Sequence, residues 1–196
     1  MATKIFIDQG HNPGGVNGGA EGSGYREQDI TYAVGIYLRD ILLEDGRFEA
    51  RTSRNSPDEI LGTSNATSLA ARVRAANEWG ADYFVSIHCN ANENPAVNGS
   101  EVYVYRLESV AGALAENVLT EMVAQVGTKN NGVRVNPQLY VLRRTQMPAI
   151  LVELAYISNA ADVQKLVNDQ YAFAYGIYLG ICRYLGLEPT VGTATA

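Results

Sequence analysis

The feature that most constrains this chain is a pair of continuous apolar runs, "DYFVSIH" (82–88) and "AILVELAYI" (149–157), neither of which alternates with polar residues. Runs of that length without alternation belong to strands covered on both faces, which is a property of largely parallel sheets. Between and around them lie segments of helical period. Ile30, Val34, Leu38, Ile41 and Leu42 recur at threes and fours, and the spacing predicts a helix from about Gln28 to Leu43. Leu69, Val73, Ala76 and Trp79 predict a second, with Thr67 or Ser68 as its cap. Leu114, Val118, Met122 and Val126 predict a third, closed by Gly127 in the left-handed conformation. "KIFID", "FEART", "SEVYVYRL" and "LYVL" read as further strands, and Asn159 with Asp162 resembles a capping box opening a helical region that runs to about Leu185. Strands alternating with helices give an α/β fold: a single domain with a mostly parallel or mixed twisted sheet and helices on both faces. We place that domain at residues 1–187. The small, polar stretch from 188 to 196 reads as a flexible tail or linker remnant.

Composition excludes several functions. The 196 residues, 46% of them hydrophobic, suffice for one sizeable core. With 21 acidic against 15 basic residues the net charge is −6, so no basic stripe is available for nucleic acid or an anionic membrane surface. No run of 18 apolar residues is present, and "MATKIFIDQG" lacks the pattern of an export signal. Cys89 and Cys182 are too few for a disulfide framework and lack metal-ligand spacing. A monomer is expected.

In sheets of this class ligands gather beyond the carboxyl ends of the strands, the one part the helices leave open. Both histidines of the chain lie there: His11 follows "KIFID" and His88 ends "DYFVSIH". Glu153 lies toward the far end of "AILVELAYI", where a carboxylate without a partner costs several kcal/mol to bury. A partner is therefore expected, and Arg72 or Arg143 could serve if the role were purely structural. Two imidazoles and one carboxylate form the protein half of a catalytic zinc site. For the third ligand we favour Glu27, at the mouth of the first helix, over Glu21, which sits in "GGAEGSG" with nothing to fix it.

The blocks "IFIDQGHNPGG", "REQDITYAVGIYL", "ADYFVSIHCNA", "GSEVYVY" and "LYVLRRTQMPAILVELAYISN" resemble, in order and spacing, the zinc-dependent N-acetylmuramoyl-L-alanine amidases of the Amidase_3 type. The likeness spans Lys4 to Leu185. It implies a mostly parallel sheet flanked by helices, and hydrolysis of the amide joining the lactyl group of N-acetylmuramic acid to the L-alanine of the peptidoglycan stem peptide. It further implies that His11, Glu27 and His88 ligate Zn2+ and that Glu153 is the catalytic carboxylate, passing a proton from water to the departing nitrogen. Asp8 and Asp29 are candidates to accept from a ligating imidazole, and Asn90 and Arg143 to contact substrate. Gln9 and Asn12 depart from the family's usual first block, which has proline before the glycine and glycine after the histidine; the departure bears on loop shape. The expected place of action is the bacterial cell wall, with no export route visible. A zinc exopeptidase on free peptides and a catalytically silent wall-binding module are the alternatives.

Overall fold

The computed structural model describes residues 2–192. The elements in chain order are β1 (Thr3–Gln9), β2 (Glu21–Gly22), β3 (Tyr25–Arg26), α1 (Glu27–Asp45), β4 (Phe48–Thr52), α2 (Asn65–Trp79), β5 (Tyr83–Asn90), β6 (Ser100–Val104), α3 (Val110–Val126), β7 (Asn130–Val135), α4 (Tyr140–Arg144), β8 (Ala149–Tyr156), α5 (Ala160–Asn168) and α6 (Gln170–Leu185). Six strands form one sheet in the order β4-β1-β5-β8-β6-β7, and β2 with β3 makes a small antiparallel hairpin. All neighbours in the large sheet are parallel except β6 and β8. The sheet is therefore mixed, as anticipated.

The two-residue period of a strand divides the molecule. Ile5 and Ile7 of β1, Val85 and Ile87 of β5, and Ile150, Val152 and Leu154 of β8 enter the larger core beneath α1, α3, α5 and α6. Their neighbours Phe6, Phe84, Ala149 and Leu151 enter a smaller core under α2 and α4, with Val73, Ala76, Val141 and Leu142. The same alternation carries Asp8, Ser86, His88 and Glu153 onto the α2/α4 side, nearer the strands' carboxyl ends.

Three local expectations change. The cap of α2 is Ser64, whose hydroxyl accepts from the Thr67 amide while the Thr67 hydroxyl accepts from the Ser64 amide; Thr67 is thus the third residue of a helix that begins with a polar, exposed turn ahead of its apolar face. "LYVL" does not form a strand: Tyr140–Arg144 is a short helix whose Val141 and Leu142 are buried in the smaller core. Asn159 does cap α5, but Asp162 is turned to the Gly99 and Tyr156 amides instead of completing a box. The edge strand β7, with Gly132 at φ 87, has no clear alternation and was not anticipated. Gly127 closes α3 at φ 71. In the segment read as a tail, Val191 is 7% exposed and packs in the larger core, and the Thr190 and Val191 amides donate to the Tyr178 hydroxyl. Residues 193–196 lie outside the described residues.

Candidate active site and metal-binding triad

His11 leaves β1 with φ 67, a left-handed turn that rotates its imidazole back over the strand ends. That conformation is held by Arg72 of α2, 1% exposed, which donates from Nη2 to the His11 carbonyl and from Nη1 to the Gln9 carbonyl. The buried charge of Arg72 is balanced by Asp8 at 2.7 Å. Asp8 also accepts from the Ser86 hydroxyl at 2.8 Å. Burial works against the Asp8 anion, but Arg72 prevails and holds its carboxyl below the usual range. Asp8 thus supports the His11 backbone and bonds no imidazole. The group that accepts from His11 is the Asn17 carbonyl, 3.3 Å from Nδ1, which leaves Nε2 free for a ligand.

Asn12 explains the altered first block. Fully buried, it donates from Nδ2 to the Val16 and Leu61 carbonyls and accepts at Oδ1 from the Leu61 amide and Arg72, closing a loop that glycine could not close. Gln9, also fully buried, donates to the Tyr32 carbonyl and accepts from the Arg54 amide. Gly10 has a different purpose: a Cβ there would lie 2.5 Å from the His88 ring, so the imidazole rests on bare backbone. A Cβ at Gly19 would meet Glu27 at 2.9 Å.

Glu27 is the first residue of α1, 3% exposed. Its Oε2 accepts from the Ala20 amide at 2.8 Å and its Oε1 from the Cys89 amide at 2.9 Å. His88 Nδ1, His11 Nε2 and Glu27 Oε1 form a nearly equilateral triangle with edges of 3.1, 3.1 and 3.2 Å. A tetrahedral zinc ion with bonds of about 2.0–2.1 Å spaces its ligands ~3.3–3.4 Å apart, so the triangle has the size and the donor chemistry to hold one. Burial alone would raise the Glu27 pKa, yet the two imidazoles hold it well below the carboxylate range. Glu21 is exposed on the β2–β3 hairpin and is not part of the triangle.

Glu153 faces His88 across the β5–β8 ladder. The expected partner is absent among the described residues: Oε2 is buried without a hydrogen bond, Arg72 is committed to Asp8, and Arg143 is exposed on α4. Burial, reinforced by the charges of Glu27 and Glu101, instead pushes the Glu153 pKa well above its ordinary value. Asn90 follows His88 past an irregularity in the ladder, and its amide is bound to Glu101. Asp29 is half exposed and paired with Arg26, so it supports no imidazole. Arg72, Asn17 and Glu101 are the important residues not anticipated in these roles. Arg72 alone had a signal, an arginine on the apolar side of a helix; the Asn17 contribution is a carbonyl, which any residue carries.

Comparison with known proteins identifies the family. Residues 5–183 match the Amidase_3 family model, N-acetylmuramoyl-L-alanine amidase. CwlM of Bacillus licheniformis, an N-acetylmuramoyl-L-alanine amidase, is 32% identical over 187 residues, covering 94% of this chain and 70% of the relative. LytC of Bacillus subtilis is 35% identical over 175 residues, but the match covers only 33% of its length against 87% of this chain. Among solved structures, the catalytic domain of CwlV from Bacillus (Paenibacillus) polymyxa var. colistinus superposes with a TM-score of 0.83 at 31% identity, covering 95% of this chain and 99% of that one. With the fold, the order of the blocks and the family match in agreement, the chain belongs to the Amidase_3 family of N-acetylmuramoyl-L-alanine amidases, which are hydrolases.

Proposed function

We propose that this protein is a zinc-dependent enzyme that hydrolyses the amide between the lactyl group of N-acetylmuramic acid and the L-alanine of the peptidoglycan stem peptide, and that it acts at the bacterial cell wall. The observation that carries the reading is the triangle of His11, Glu27 and His88 with Glu153 one strand away. These three residues would hold Zn2+. When bound there, the ion supplies Lewis acidity toward water and the substrate carbonyl. Glu153 takes the proton of the attacking water and returns it to the alanine nitrogen as the C–N bond breaks, so the leaving amine departs neutral. The Asn17 carbonyl keeps His11 in one tautomer, and the Ala20 and Cys89 amides fix both Glu27 oxygens, so the ligand atoms are held before any ligand arrives.

Digestion of purified peptidoglycan tests the proposal. Soluble peptides with new L-alanine amino ends, and no new reducing sugar, are the expected products. Single amino acids released from peptide ends would instead indicate an exopeptidase, and binding without release a wall-binding module.

A further inference from the structure

Beside Glu153 the sheet carries a second polar cluster that the proton transfer does not use. Glu101 of β6 is paired directly with Glu153 in the β6–β8 ladder and is 1% exposed. Its Oε1 accepts from the Tyr156 hydroxyl at 2.7 Å and from the Asn90 amide. Its Oε2 forms an ion pair with Nε of Arg134 but receives no aligned hydrogen bond. Arg134, on the edge strand β7, is paired with Tyr103, two residues along β6 from Glu101. The two-residue period therefore sets Glu153, Glu101, Tyr103 and Arg134 on one side of the sheet.

Half of the Arg134 side chain, 51%, is exposed. Among the described residues it has no hydrogen bond or ion pair beyond Glu101. A guanidinium has five N–H donors, and none of the four on its Nη atoms has a hydrogen-bond partner among the described residues. Its place gives that cation a purpose, since it stands on the open side of Glu101, the direct ladder partner of Glu153, where an anionic group of an incoming substrate can reach it. A guanidinium anchored at Nε keeps its Nη pair oriented for planar, two-point binding of a carboxylate.

On the amidase reading, the substrate's lactyl carboxyl is itself part of the scissile amide, so its free carboxylates lie on the peptide half. We propose that Arg134, held by Glu101, is a specificity-determining residue that binds a free carboxylate of the stem peptide next to Glu153. Glu101 is a positioning residue in this scheme, and Asn90 and Tyr156 hold it in place.

The test uses two synthetic muramoyl peptides, one with all peptide carboxylates free and one with all converted to carboxamides. Binding is measured on Glu153→Gln protein, in which turnover is slowed about 10²–10⁴-fold and does not disturb the binding measurement. The free acid binds about 10–100-fold more tightly than the amide, the range of a charge-assisted pair. Adding Arg134→Gln brings that ratio to within about threefold, chiefly by weakening the acid, and Arg134→Lys restores part of it. Because Arg134→Gln alone leaves the Glu101 charge buried and unpaired, the Arg134→Gln/Glu101→Gln pair is measured as well; it removes both charges at nearly constant volume and loses the preference too. A ratio near one in the Glu153→Gln parent, or one that survives both substitutions, overturns the proposal. Turnover of the same peptides by the wild-type protein is scored separately: failure to cleave either counts against the amidase reading, while the binding ratio still decides the role of Arg134.

Discussion

The contact between α3 and α6 and the rim formed by the ends of β1, β5 and β8 are both buried, but they are built on opposite principles. Between the helices, Gly176 and Gly180 let the backbones meet: a Cβ at Gly180 would lie 2.3 Å from the Val118 Cα, and one at Gly176 2.5 Å from the Met122 Cα. Around them pack Leu114, Leu119, Phe173 and Ile177, all apolar and almost wholly buried. The rim instead buries Asp8, Arg72, Glu27 and Glu101, charges that gain nothing from burial and hold their places through specific partners, beside Glu153, whose buried Oε2 has none among the described residues. One region supplies stability through area and close packing. The other spends part of it on a fixed constellation. Perturbations of the two should therefore separate stability from chemistry.

The largest separation is expected at Glu153. Glu153→Gln keeps the shape of β8 and cannot exchange a proton, so peptidoglycan hydrolysis should fall about 10²–10⁴-fold. Its melting temperature and zinc content should match wild type. A destabilised protein whose folded fraction keeps normal activity would contradict the assignment. Next comes Arg72→Met, which leaves Asp8 buried without its cation and frees the His11 carbonyl. Breaking such a pair costs about 3–5 kcal/mol, and zinc affinity should drop with it; denaturant melts and metal titration read both. A loss under about 1 kcal/mol would show that the pair does not support the site.

Gly180→Ala should do the reverse. Overpacking of this kind costs about 1–3 kcal/mol, yet the folded fraction should bind zinc and hydrolyse peptidoglycan as wild type does. Altered activity per folded molecule would blur the distinction drawn here. The smallest effect belongs to Asp45, which joins α1 to the C-terminal segment. It accepts from Arg47, and from the Tyr178 hydroxyl, and these bonds outweigh burial to lower its pKa. A carboxyl depressed in the folded state adds stability that is present above its unfolded pKa, near 4, and is lost as pH falls through the folded value. Asp45→Asn should therefore lower the melting temperature by a few degrees at pH 7, with the gap closing at strongly acid pH. A gap that stayed constant with pH would remove the carboxylate from the explanation.

The same contrast explains what could be read from sequence. The helix–helix region and the buried strands were legible because a 3.6 period and unbroken apolar runs are direct records of burial. The chemistry of the site was legible through rarity: with only two histidines in the chain, both at strand ends, a ligand set was strongly constrained. Its support was not. The Asn17 carbonyl and the Ala20 and Cys89 amides carry no side-chain signature, and Asp8, chosen as a partner for an imidazole, turned out to bind Arg72, 64 residues away. "LYVL", a short helix, is ambiguous for a related reason, since four apolar residues fit a strand or one helical turn equally well.

The central claim, that His11, Glu27 and His88 are one zinc site, is tested most directly by metal analysis of the purified protein beside Glu27→Ala and Glu21→Ala. The account predicts about one zinc per chain in the wild-type and Glu21→Ala proteins, and a strong loss of zinc affinity in Glu27→Ala. A zinc-reconstituted wild-type protein without tightly held metal, or a loss confined to Glu21→Ala, would contradict it.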